Sequence, residues 1–166
     1  MSDVSSPKPH CSGSLLPCAV AVGLAALSAQ ALATECTNKD EIVGLFTKWD
    51  AALQTGNPEK VADLYAKDGV LLPTVSNKVR ADHAAIVEYF HQFLEMRPKG
   101  TLNEIHVTCL GDDTAINQGI YTFDVVKGGQ PSKVQARYSY VYHKEDGEWK
   151  IVSHHSSQMP EPVAAK

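Results

Sequence analysis

Charge of one sign is scarce in this chain of 166 residues. Fifteen Lys and Arg stand against nineteen Asp and Glu, leaving a net charge of −4 and no basic run. The electrostatic footprint of a nucleic-acid binder, or of a protein held on an anionic membrane, is therefore missing. The seven histidines never fall at H-x-H or H-x-x-x-H spacing, so no metal is expected. Also lacking are a G-x-G-x-x-G fingerprint, a P-loop, a G-x-S-x-G elbow and any paired-carboxylate spacing. No nucleotide or redox cofactor is expected on those grounds.

Long apolar runs are equally rare. One exists, LLPCAVAVGLAALSAQALA (Leu15–Ala33), behind a polar start carrying Lys8 and His10 and finishing in Ala31-Leu32-Ala33. That is the pattern of a secretory signal with an A-x-A cleavage site, which predicts residues 1–33 as a signal peptide and a periplasmic or secreted mature protein. An uncleaved anchor is the alternative; Pro17 and Gln30 interrupt the run and speak against a permanent span. Of four cysteines, removal of the signal would leave Cys36 and Cys109. An exported chain folds where disulfides persist, so a Cys36–Cys109 bridge is expected, with two buried thiols as the other possibility.

The remainder, 34–160, is one domain's worth of chain, followed by a tail, 161–166, expected to be disordered. Apolar residues at Ile42, Leu45, Phe46, Trp49 and Leu53 mark one face of a helix that Gly56 stops. Asn57-Pro58 starts a second helix with Val61, Leu64 and Tyr65 on its inner side. A short strand, Val70–Pro73, precedes a third helix capped by Asp82 with Ile86, Tyr89, Phe90, Phe93 and Leu94 as its buried stripe. After Gly100 four extended runs follow, near 101–110, 115–126, 133–143 and 149–157, joined by Gly-Asp, Gly-Gly and Asp-Gly turns. Three helices and a strongly curved antiparallel sheet wrapped on them form an α+β cone.

Two stretches, WDAALQTGNPEKVADLYAKDGVLLPTVSN (Trp49–Asn77) and YSYVYHKEDGEWKIVSHHSSQMP (Tyr138–Pro160), resemble the association-domain family of calcium/calmodulin-dependent protein kinase II. That family lies within the nuclear-transport-factor-2-like superfamily, with its cystatin-like fold, and the likeness is closest to secreted stand-alone bacterial members of SgcJ/EcaC type. The resemblance implies a cone that oligomerises, as a hub does in the kinase, with itself as partner. The kinase Gly-rich loop, H-R-D loop and D-F-G triplet are missing, so no phosphoryl transfer is implied. It also implies a cavity that in the hub is lined by arginines; Tyr121 and Tyr140 occupy two of those positions here. Two phenols can hydrogen-bond a ligand without supplying positive charge.

Strand alternation then sorts the candidates. If Trp149, Ile151 and Ser153 face inward, His155 does too and His154 faces out. His155 is expected at the pocket, as ligand contact or proton carrier, or else as a buried histidine held by a tyrosine. Tyr138, Tyr140 and Tyr121 point in, and Arg137 points out unless a bulge shifts the register. Trp49 and Tyr65 are expected as cavity wall or core, Arg80 as a cation at the rim or a solvated loop residue. Asp50, Asp63 and Asp68, available as a general base in ketosteroid-isomerase-type relatives, sit at positions read as exposed. Ile116, Ile120 and Val126 share the face opposite Tyr121 and Phe123 and predict self-association through it. The expectation is a small-molecule-binding or assembly domain; the alternative is a small enzyme of ketosteroid-isomerase, SnoaL-like or SgcJ/EcaC type acting on a cyclic or carbonyl compound.

Overall fold

The computed structural model describes residues 39–162. The expected signal segment, Cys36 and the last residues of the tail lie outside them. Helix α1 (Lys39–Gln54) buries Ile42, Phe46, Trp49 and Leu53, whose spacing of four, three and four keeps them on one face. Gly56, at φ 67°, ends it. Asn57 caps the short α2 (Pro58–Ala62), its side chain accepting from the Glu59 N–H at 2.9 Å. Asp82 does the same for α3 (His83–Leu94), accepting from the Ala85 N–H at 2.8 Å.

Five strands form one sheet: β1 (Tyr65–Leu72), β2 (Lys99–Cys109), β3 (Thr114–Lys127), β4 (Gln130–Glu145) and β5 (Glu148–Gln158), in the order β1-β5-β4-β3-β2. The last four make the expected antiparallel meander. The helix-then-strand boundary differs from the sequence reading: Tyr65 opens β1 rather than continuing α2, because the chain there joins β5 in parallel, Tyr65 opposite Ile151. Pairing is close enough that a Cβ on Gly69 would lie 2.8 Å from the Ile151 carbonyl oxygen.

Two bulges within the meander curve the sheet, besides the register shift between Tyr65 and Val70 in β1. Leu102 opposes Tyr121 and Glu104 opposes Ile120, which leaves Asn103 extra in β2. Val141 opposes Ser153 and Tyr142 opposes Ile151, leaving Val152 extra in β5. The concave face carries Tyr121, Phe123, Tyr138, Tyr140 and Tyr142, all buried beneath α1 and α3. Ile116, Ile120 and Val126 lie half-buried on the other face. The long helix is pinned at its C-terminal end: the Asp50 carboxylate accepts from the Gly100 N–H at 2.6 Å, and Gln54 Nε2 donates to the Pro98 carbonyl at 2.8 Å. Cys109, at the end of β2, is disulfide-bonded; since Cys36 lies outside the described residues, the pairing stays the expectation stated from the sequence.

At the β2 bulge the neighbouring strands leave no room for a side chain. Gly119 has φ 155°, and a Cβ there would sit 2.0 Å from the Glu104 carbonyl oxygen, which is backbone and cannot swing away. Gly119→Ala is therefore predicted to cost about 2–4 kcal/mol, from overpacking plus backbone strain. Urea unfolding of the two proteins checks it; equal midpoints would show that the bulge does not need glycine.

Candidate functional site

The bulge at Val152 decides which histidine enters the cone. Ile151 is buried; with one residue inserted after it, alternation restarts so that His154 and Ser156 point in while His155 and Ser157 point out. The sequence expectation is thus reversed: His154 is 3% exposed and His155 lies on the outer face. The reversal follows from assuming unbroken alternation through Ser153.

Around His154 the cone is aromatic. Its ring stacks on Tyr140 with centroids 4.0 Å apart and meets the Trp49 ring edge-on at 5.5 Å. Tyr65 Oη lies 2.8 Å from Nδ1 and Tyr121 Oη 3.5 Å from Nε2. The Tyr121 hydroxyl donates to Ser156 Oγ at 2.5 Å, and Ser156 is hydrogen-bonded in turn to Thr74. Enclosure first, and His155 next along the chain second, push the His154 imidazole down to about 3. The buried phenols of Tyr65, Tyr121 and Tyr140 move the other way, raised by burial. At neutral pH the whole cluster is uncharged.

Beside this cluster, between α1, α3 and the sheet, is a cavity of about 30 Å³, room for about two waters. Its walls are apolar, chiefly Trp49, Phe90, Phe93, Met96, Phe123 and Val134, and one side carries the strip Thr74, Tyr121, His154 and Ser156. Lys127, exposed at the end of β3, is the cation of the lining.

Of the residues singled out in the sequence, Trp49 and Tyr121 line the cavity, and Tyr65 and Tyr140 are buried behind it against His154. Arg80 is buried rather than solvated, but faces elsewhere: its backbone bridges Leu71, and Nη1 pairs with Glu88 at 2.8 Å. Arg137 and His155 share a shallow depression on the outer face with Ser139 and Ser157, Arg137 Nε donating to Ser157 Oγ at 3.2 Å. Asp50 is half-buried and spent on the Gly100 N–H; Asp63 lies 3.2 Å from His83, and Asp68 is exposed. No group of three or more His, Cys, Asp or Glu among the described residues is placed to hold a metal ion. Sequence reasoning missed His154, Ser156 and Thr74. The available signal was Ile151-Val152-Ser153, where a third consecutive residue fit for burial leaves room for a bulge.

A neutral buried histidine couples stability to acid. Unfolded, the imidazole takes a proton near pH 6.5; folded, only near pH 3. Between those values the unfolded chain binds more protons, so the contribution is whole above about pH 6.5 and lost as pH falls toward 3. The protein is predicted to lose about 3 kcal/mol from this group between pH 6.5 and 4, and His154→Gln to lose much less over the same interval. Denaturant titrations at several pH values check this, and parallel pH profiles for the two proteins would contradict it.

Comparison with known proteins agrees with the fold just described. The profile of the calcium/calmodulin dependent protein kinase II association domain matches residues 38–160. A solved structure from Xanthomonas campestris, provisionally described as such an association domain, is 57% identical; the match covers 74% of this chain and 88% of that one with a TM-score of 0.73. The hub homology domain of the kinase from Chlamydamonas reinhardtii is similar at 22% identity, covering 72% and 96%, with a TM-score of 0.59. A Novosphingobium aromaticivorans protein provisionally described as an aromatic ring hydroxylase is similar at 23% identity, covering 74% and 89%, with a TM-score of 0.64. These last two likenesses concern the fold alone. No curated protein matches. With the profile matching residues 38–160 and a 57% identical relative covering 74% of the chain, the chain belongs to the calcium/calmodulin-dependent protein kinase II association-domain family.

Proposed function

We propose that this protein is an exported, self-associating association-domain module whose cone holds a small uncharged organic molecule. The observation that carries the ligand reading is the cavity itself: an apolar chamber with one hydrogen-bonding side, Thr74, Tyr121, His154 and Ser156. At about 30 Å³, such a composition suits a molecule of a few heavy atoms with a single polar group. A carboxylate suits it poorly. The buried side supplies phenols and a neutral imidazole, and a full negative charge placed there without a fixed cation would go uncompensated. Arg80, the buried guanidinium nearest in the chain, is already paired with Glu88.

Binding is favoured over catalysis by where the carboxylates sit. Asp50, the candidate with a burial-raised pKa, accepts from Gly100 at the joint between α1 and β2 rather than facing the cavity. Self-association through the outer sheet face is supported by the half-buried Ile116 and Val141, which oppose one another in register, and by the family's hub-forming relatives. Export rests on the apolar run Leu15–Ala33 and its Ala31-Leu32-Ala33 ending.

Calorimetry with uncharged molecules of three or four heavy atoms, such as acetonitrile and acetone, and with acetate tests the ligand reading. At least one uncharged compound is expected to bind more tightly than acetate, and Val134→Phe, which puts a ring into the cavity, to abolish that binding. Tighter binding of acetate, or binding indifferent to Val134→Phe, would contradict it.

A further inference from the structure

The face of the sheet turned away from the helices carries a polar cluster of its own. Arg137 opposes Ser157 across β4 and β5, and Ser139 opposes His155. Residues two apart on a strand share a face, so the four side chains form a square with Arg137 and His155 on one diagonal. Diagonal neighbours across an antiparallel pair lie about 7–8 Å apart or less, a gap that one small group seated between them bridges. The square lines the outer depression, which holds about 270 Å³. Without the Val152 bulge, His155 and Ser157 would face the cone instead.

Arg137 sets the sign of what fits there. Its Nε–H is committed to Ser157 Oγ at 3.2 Å, which leaves both Nη groups for a ligand. A guanidinium keeps its charge and has no acceptor, so it calls for an anion. Ser157, whose oxygen accepts from Arg137, still has its own proton to give. Ser139 is half-buried and His155 exposed; they add a hydroxyl that rotates to suit and a ring N–H.

The chain does not supply that anion itself. Among the described residues no carboxylate lies within ion-pair distance of Arg137 or His155, whereas Lys133 on the same strand pairs with Asp124 and Arg80 with Glu88. The neighbours of the square are uncharged: Ile120 opposes Arg137 from β3, Gln118 opposes Ser139, and Leu72 opposes His155 from β1. Glu104, one strand beyond Ile120, is hydrogen-bonded to His106 at 2.7 Å. A carboxylate would offer two oxygens in one plane. Donors at the corners of a square suit a tetrahedral group better, since its oxygens point in several directions.

We propose that the outer face of the sheet binds a phosphoryl group, free as inorganic phosphate or carried as a phosphate monoester. Its donors are the Arg137 Nη groups, the Ser139 and Ser157 hydroxyls and the His155 ring. The site is independent of the cone cavity, which lies on the other face of the sheet. Leu72, 36% exposed beside His155, gives the organic part of a monoester an apolar neighbour.

Calorimetry on the full chain, at low ionic strength in a buffer without phosphate, compares inorganic phosphate, phenyl phosphate and acetate. Both phosphates are expected to bind more tightly than acetate. Arg137→Gln should weaken phosphate binding about tenfold or more, the worth of hydrogen bonds to a charged group. Arg137→Lys, which keeps the charge and loses the fork, should recover only part of that. Lys133→Gln removes the same charge from the same strand and should change affinity by no more than about twofold. Phenyl phosphate binding more tightly than phosphate would assign the site to monoesters, and the reverse order to the free ion. No phosphate binding, acetate binding as tightly as phosphate, or equal losses for Arg137→Gln and Lys133→Gln would overturn the proposal.

Discussion

An imidazole held without charge inside a cage of aromatic rings is the constraint on which the rest of the cone turns. Burial keeps His154 neutral, and the polar ring is tolerated there because both ring nitrogens have partners, Tyr65 on one side and Tyr121 on the other. Each phenol in turn needs its position fixed. Tyr65 is fixed by the parallel pairing of β1 with β5, and Tyr121 by its place in β3 opposite Leu102, just before the Asn103 bulge. Trp49 and Tyr140 close the ring from above and beside it, and α1, which carries Trp49, is held down by Asp50 on Gly100. Secondary structure, bulges and helix docking thus converge on one side chain.

Much of the architecture was legible in the chain. Helix faces declare themselves through Ile42, Phe46, Trp49 and Leu53, and caps through Asn57 and Asp82, because these features depend on residues a few positions apart. The meander was readable for the same reason, with turns at glycine and strands in alternation. What escaped was set at longer range. Tyr65 entered a strand because Ile151 in β5, 86 residues on, supplies a parallel partner, and no local propensity records that. His154 and His155 exchanged faces because one residue, Val152, is unopposed by β4. A single unpaired residue inverts every assignment beyond it. Arg80 illustrates a third kind of miss: its cation was recognised, but Glu88, the partner that occupies it, becomes a neighbour only when α3 folds over the loop.

The cavity lies between α1, α3 and the sheet of an association-domain fold, and the residues around it give this chain its own chemistry. Tyrosines stand at 121 and 140, where the resemblance would lead one to expect arginines, and their phenols are raised by burial, which keeps them protonated. The interior is consequently polar without being charged.

The central claim, a neutral His154 buried in the cone, is tested most directly by the nitrogen chemical shifts of its imidazole. In protein labelled with nitrogen-15 and held at pH 5, where an ordinary histidine is mostly protonated, one His154 nitrogen should resonate as a protonated pyrrole-type nitrogen and the other as a hydrogen-bonded pyridine-type nitrogen. Two equivalent, cationic-type signals at that pH would contradict the account.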